Sequence, residues 1–208
     1  RKAGVPVKEI ETIVQSENDI AGALAEIQAR GVNALVIYLG NFGPEGPTTI
    51  LARKFDGAVM FAAAAEETGA NLINGRGDAY CGMLNSSYSI GLRKLKVHIP
   101  EYPVGTPAEV AGMIAGFLPV ARVFLGLKKV KIFAFGPRPQ DFLACNAPIK
   151  PLFDLGVEVM ENSELDLFDA FQKTKGAPGI KKVAADMGRE LGTNNHYPDL
   201  LVKLAQYE

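Results

Sequence analysis

The chain has 208 residues, 22 basic and 23 acidic side chains, a net charge of −1 and 48% hydrophobic residues. That length and apolar content suit one large domain or two small ones and exclude a disordered chain. Without a basic surplus or a long basic run, no nucleic-acid partner is expected.

Val5 to Val14 is strand-like. Ser16 to Ala29 predicts a helix, with Ser16 as cap, Asp19 three residues on and Gly31 as the stop. Asn33 to Leu39 (NALVIYL) is a nearly continuous apolar run, as in a strand covered on both faces. Gly40 to Pro47 (GNFGPEGP) is a breaker-rich loop, followed by a short helix from Thr48 to Lys54. Ala58 to Ala63 (AVMFAA) reads as a second buried strand. Glu66 to Asp78 is polar and Gly-rich, and a domain junction is expected there.

Ala79 to Leu92 predicts a helix, and Val97-His98-Ile99 a short strand. Thr106-Pro107-Ala108-Glu109 is a strong helix start, with Thr at the cap, Pro first and Glu third. That helix should run to Leu125 or Gly126, with a kink at Pro119. Val130 to Phe135 (VKIFAF) is the clearest strand, expected to be buried, and opens into Gly136 to Gln140. Phe142 to Leu155 reads as a helix distorted by Pro148 and Pro151. Val157 to Met160 is a strand, Ser163 caps a helix with Asp166 at its third position, and helical patterns follow at Ile180 to Leu191 and Asp199 to Tyr207. The chain starts on Arg1 and ends within a helical pattern at Glu208, so a piece of a longer protein is expected.

Strands alternating with helices predict parallel sheets with helices on both faces. Ligands bind such sheets beyond the carboxyl ends of their strands. Two loops stand at such ends, 40–47 and 136–140.

In the loop GPRPQ, Pro137 and Pro139 restrict the backbone around Arg138, which with Gln140 offers polar groups suited to sugar hydroxyls or an anion. The plainer alternative pairs Arg138 with Asp141 at the surface. In the loop GNFGPEGP, Asn41 and Phe42 stand at the other strand end; the ring could pack on a sugar face or a neighbouring subunit, or anchor its own loop. The stretch GRGDAYCGMLNSS lacks a phosphate-loop pattern and reads as a structural junction. No GxGxxG follows a strand, which disfavours a dinucleotide site.

His98 and His196 have no partner at metal-ligand spacing, and no Ser-His-Asp or Cys-His arrangement can be read. Cys81 and Cys145 read as two buried cytoplasmic thiols. No run of about 18 consecutive apolar residues calls for a membrane span, and no signal peptide is visible.

The stretch FGPRPQDFLACNAPIKPLFDLGVEVMENSELDLFDAF resembles the second domain of the L-fucose isomerase and L-arabinose isomerase superfamily. NALVIYLGNFGPE resembles the end of that family's first domain, and PEYPVGTPAEV its inter-strand connection. The resemblance runs from about residue 5 to 208 and is strongest over 130–171. It implies an α/β fold of two doubly wound, Rossmann-like (flavodoxin-like) parallel-sheet domains, the first incomplete. Residues 1–70 would be the remainder of the first domain and 71–208 the second.

The resemblance further implies a metal-dependent aldose–ketose isomerase, an intramolecular oxidoreductase acting on a monosaccharide. It would be cytoplasmic, a homo-oligomer (a hexamer in the family), with no membrane or nucleic-acid partner. Mn²⁺ would serve the full-length parent, its ligands lying near the end of the second domain and in a third. None is expected in this chain, which alone would be inactive. Arg138 and Gln140 would line the substrate pocket, and the Asn41-Phe42 loop would reach the pocket of an adjacent subunit. The competing reading is a non-catalytic sugar sensor of periplasmic-binding-protein-like architecture. Against it stand the absence of a visible secretion signal and the scarcity of aromatics, at 8% with no Trp.

Overall fold

The computed structural model describes residues 4–66, 78–136, 144 and 148–207. The fold is α/β, with one three-stranded and one two-stranded parallel sheet. The chain divides into two compact units, Arg1–Lys128 and Lys129–Glu208. The division does not fall near residue 70. A breaker-rich stretch marks a loop as readily as a domain boundary, and the helix that follows this one packs back on the first sheet.

In the first unit, β1 (Ala34–Leu39) and β2 (Ala58–Ala64) run parallel in register from Ala34↔Ala58 to Leu39↔Ala63. β3 (Val104–Gly105) pairs with the far end of β2, which makes β2 the central strand. The expected strand at 97–99 is a single parallel bridge between His98 and Met60.

The period-2 alternation of a strand explains how one apolar run serves two cores. Val59, Phe61 and Ala63 face α1 (Ile20–Ala29), α2 (Glu45–Lys54) and α3 (Ala79–Leu92), meeting Ile27, Leu51 and Met83. Ala58, Met60 and Ala62 face α4 (Pro107–Leu127), meeting Val110, Phe117 and Ala121. Helices therefore cover both faces, as the unbroken apolar sequence requires.

Helix α4 starts where its sequence predicts. Thr106 Oγ1 accepts from the Glu109 N–H, and the Glu109 carboxylate accepts from the Thr106 N–H at 2.8 Å. It continues through Pro119 to Leu127. By length and apolarity it could cross a membrane, although the sequence has no uninterrupted apolar run of that length. Here it lies on the sheet, with Val120 and Val123 exposed on its outer side.

Val5 to Val14 is not a strand. Its backbone is held by a side chain instead. The Glu26 carboxylate accepts from the Glu11 N–H at 2.8 Å, the Thr12 N–H at 3.1 Å and the Thr12 hydroxyl at 3.2 Å. Arg30 binds the same carboxylate at 2.7 Å. Ile10 and Val14 still pack against the core, so the apolar pattern is used without a ladder.

In the second unit, β4 (Lys131–Phe135) and β5 (Glu158–Asn162) pair in parallel from Lys131↔Glu158 to Phe135↔Asn162. Contrary to its sequence, β4 is not buried: all five of its residues are exposed. A two-stranded sheet offers too little cover for both faces of a strand. The buried residues of this unit include instead Ile180 and Ala184 of α7 (Ile180–Leu191), with Ala205 just after α8 (Leu201–Leu204). Helix α5 (Lys150–Asp154) is shorter than the expected 142–155, part of which lies outside the described residues. Ser163 caps α6 (Glu164–Thr174), reciprocated by Asp166.

Candidate functional site

Because β1, β2 and β3 are parallel, the loops that follow them leave the same edge of the sheet. The loop after β1 carries Asn41 and Phe42; Glu66 lies just beyond the end of β2; Gly105 ends β3 directly before the Thr106 cap. Ala65 N–H donates to the Gly105 carbonyl at 2.8 Å, which ties two of these exits together.

The Asn41 side chain is fixed through its oxygen. Oδ1 accepts from the Phe42 N–H at 2.8 Å and, more weakly, from the Asp78 N–H at 3.4 Å. Asp78 is the residue preceding α3, so this amide joins the end of β1 to the start of the helix that follows β2. With the oxygen committed, the amide can offer its NH₂ as a donor. Asn41 is exposed, and the Phe42 ring is 48% exposed, so the ring is not an anchor in its own core.

Glu66 supports the same corner. Its Oε1 accepts from the Ala79 N–H, the first of α3, at 2.6 Å. A carboxylate at a helix N-terminus satisfies a donor that has no partner inside the helix. Helix α2 also begins at this edge, at Glu45 just after Pro44, three residues earlier than its sequence suggests.

Of the residues singled out by sequence, Asn41 and Phe42 stand together at this edge. Arg138 and Gln140 lie outside the described residues, but the stem of their loop is clear. Gly136 follows β4 at its carboxyl end with φ of 86° and donates its N–H to the Asn162 carbonyl at 3.1 Å. A methyl group there would stand 3.0 Å from Glu164 Oε1, so both backbone conformation and space favour glycine.

The cysteine expectation is corrected: Cys81 is exposed on α3, and Cys145 lies outside the described residues. His98 stacks on the Phe117 ring at 5.4 Å, and His196 is exposed. Among the described residues no three of His, Cys, Asp or Glu come together, so they form no ligand set for a divalent ion. Glu66 and Gly82 are contributors that sequence reasoning passed over, and Asp78 lies in the stretch it read as a structural junction. The available signal was Gly82 itself, a glycine inside a helix, which often marks a close approach.

The profile of the fucose/sulfoquinovose isomerase N-terminal domain matches residues 2–128. No curated protein matches the sequence. The matched stretch is more than half of the 208 residues and ends at the same residue as the first compact unit. With a parallel sheet covered on both faces, and the Asn41-Phe42 loop at its carboxyl edge, the chain belongs to the fucose/sulfoquinovose isomerase family, as a portion that includes its N-terminal domain.

Proposed function

We propose that this chain serves an aldose–ketose isomerase by holding and orienting a monosaccharide, with Asn41 and Phe42 as contacts. The observation that carries this reading is the state of the Asn41 amide. Its oxygen is occupied by the Phe42 and Asp78 N–H groups, and its NH₂ is left to donate to a sugar oxygen. The half-exposed Phe42 ring beside it offers an apolar face to the C–H side of a pyranose. A donor and a flat apolar surface side by side suit a polyhydroxylated ring better than a nucleotide phosphate or a peptide.

Arg138 and Gln140 belong to the same proposal as sugar contacts, supported by a loop that leaves a strand's carboxyl end through Gly136. The Mn²⁺ that the family resemblance implies has no ligand set among the described residues. The role proposed for this chain is binding and orientation, and no proton-transfer step is assigned to its residues. We propose further that the enzyme is a homo-oligomer in which the Asn41-Phe42 loop contacts sugar held by an adjacent subunit.

Calorimetry and turnover together test this. The enzyme carrying this domain is expected to interconvert an aldose and a ketose, with L-fucose and sulfoquinovose as first substrates. Tight, metal-independent sugar binding by this chain, with no turnover by the enzyme carrying it, would instead favour a non-catalytic sensor.

A further inference from the structure

The Asn41-Phe42 loop does not hold its position alone. It rests on the first turns of α3, and one residue there has no explanation within the helix itself. Gly82 is the fourth residue of α3 and buried, in a setting where glycine is a poor helix former. A methyl group on Gly82 would stand 3.2 Å from the backbone oxygen of Asn41 and 3.5 Å from the Phe42 Cα. Gly91, in the same helix, has nothing within 4 Å of the equivalent position. The atoms facing Gly82 are backbone, which cannot swing aside as the end of a side chain would.

Three further contacts converge on this turn. Gly82 N–H donates to the Asp78 carbonyl at 2.8 Å. Asp78 N–H donates to Asn41 Oδ1. Glu66 accepts from the Ala79 N–H and so pins the helix start to the end of β2.

We infer that the first turn of α3 is the template that sets where Asn41 and Phe42 stand, and that Gly82 is a positioning residue for them. The template itself is independent of what the loop binds; its consequence for sugar binding rests on the function proposed above. Gly82 touches no ligand. It allows the loop to lie against the helix, and Glu66 keeps the helix in place beneath it.

The chain has no tryptophan, so Phe42→Trp introduces a single indole reporter at the loop. In that background, Gly82→Ala is expected to shift the emission maximum and the acrylamide quenching constant. Gly91→Ala, which makes the same chemical change in open space, is expected to shift neither. In Gly82→Ala the gain in helix propensity, about 1 kcal/mol, is opposed by the 3.2 Å contact with the Asn41 backbone oxygen, so the melting temperature should stay close to that of its parent. If Gly82→Ala abolished folding, Glu66→Ala would carry the test, with the same expected change at the indole. An indole signal unchanged by Gly82→Ala in a folded protein, or changed equally by Gly91→Ala, would overturn the inference.

Titration with L-fucose then addresses the consequence. A saturable change in indole emission should need about tenfold more sugar in Gly82→Ala than in its parent, equivalent to about 1.4 kcal/mol. If L-fucose left the indole unchanged in every variant, the proposed sugar contact would fail, while the emission comparison would still decide the positioning role.

Discussion

The Asn41 amide can be separated into its two halves by substitution. Asn41→Ala removes the oxygen that accepts from the Phe42 N–H at 2.8 Å and the Asp78 N–H at 3.4 Å. The first is a good hydrogen bond and the second a long one, both at an exposed site, so the loss should be about 1 kcal/mol in total. Asn41→Asp keeps an accepting oxygen and deletes only the donor. A new carboxylate near the start of α3 gains from the helix dipole and is opposed by Glu66 and Asp78, so its net stability should lie within about 0.5 kcal/mol of the parent. Urea unfolding, followed by circular dichroism, should therefore order the proteins as parent and Asn41→Asp together, with Asn41→Ala below. Sugar affinity should divide them differently, with both variants weakened. Equal stability of Asn41→Ala and the parent would refute the account of the loop. Full sugar affinity in Asn41→Asp would refute the assignment of the NH₂ as the ligand-facing group.

Glu26 should make part of the stability depend on pH. Its carboxyl is held down at about 2, chiefly by the Glu11 N–H, from an ordinary value of 4.5. A depressed folded value means that the contribution is complete above about 4.5 and is lost as pH falls toward 2. Urea midpoints measured across that window should fall more steeply for the parent than for Glu26→Gln; parallel curves would contradict this. Phe61 is fully buried at the centre of β2, so Phe61→Ala should cost about 3–5 kcal/mol and remove the cooperative transition of the first unit. Ser163→Ala deletes the cap of α6 and should lower the stability of the second unit by about 1 kcal/mol, read as a shift in its melting temperature, without altering the first.

The elements that were legible in the sequence are those whose signals are local. The Thr106-Pro107-Glu109 start of α4, the Ser163-Asp166 start of α6 and the unbroken apolar run of β2 each state their structure within a few residues. What was misread depends on distant partners. Val5 to Val14 has the apolar spacing of a strand, but its N–H groups found the Glu26 carboxylate rather than a neighbouring strand. The run VKIFAF looks buried, yet its burial would depend on how much sheet surrounds it, and among the described residues only β5 pairs with it. The break after β2 looked like a domain boundary because composition cannot reveal that Met83 and Phe61 share a core. At the candidate site, Asn41 and Phe42 were readable from their place after an apolar run. Their supports were not, since Glu66 and Gly82 act across 24 to 41 positions in the chain.

Steady-state kinetics of the enzyme carrying this domain, as parent and as Phe42→Ala, bears most directly on the central claim. If Phe42 helps to hold the sugar and takes no part in the chemistry, KM for the aldose should rise about tenfold while kcat stays within about twofold. An unchanged KM, or a loss confined to kcat, would contradict the binding role assigned to this loop.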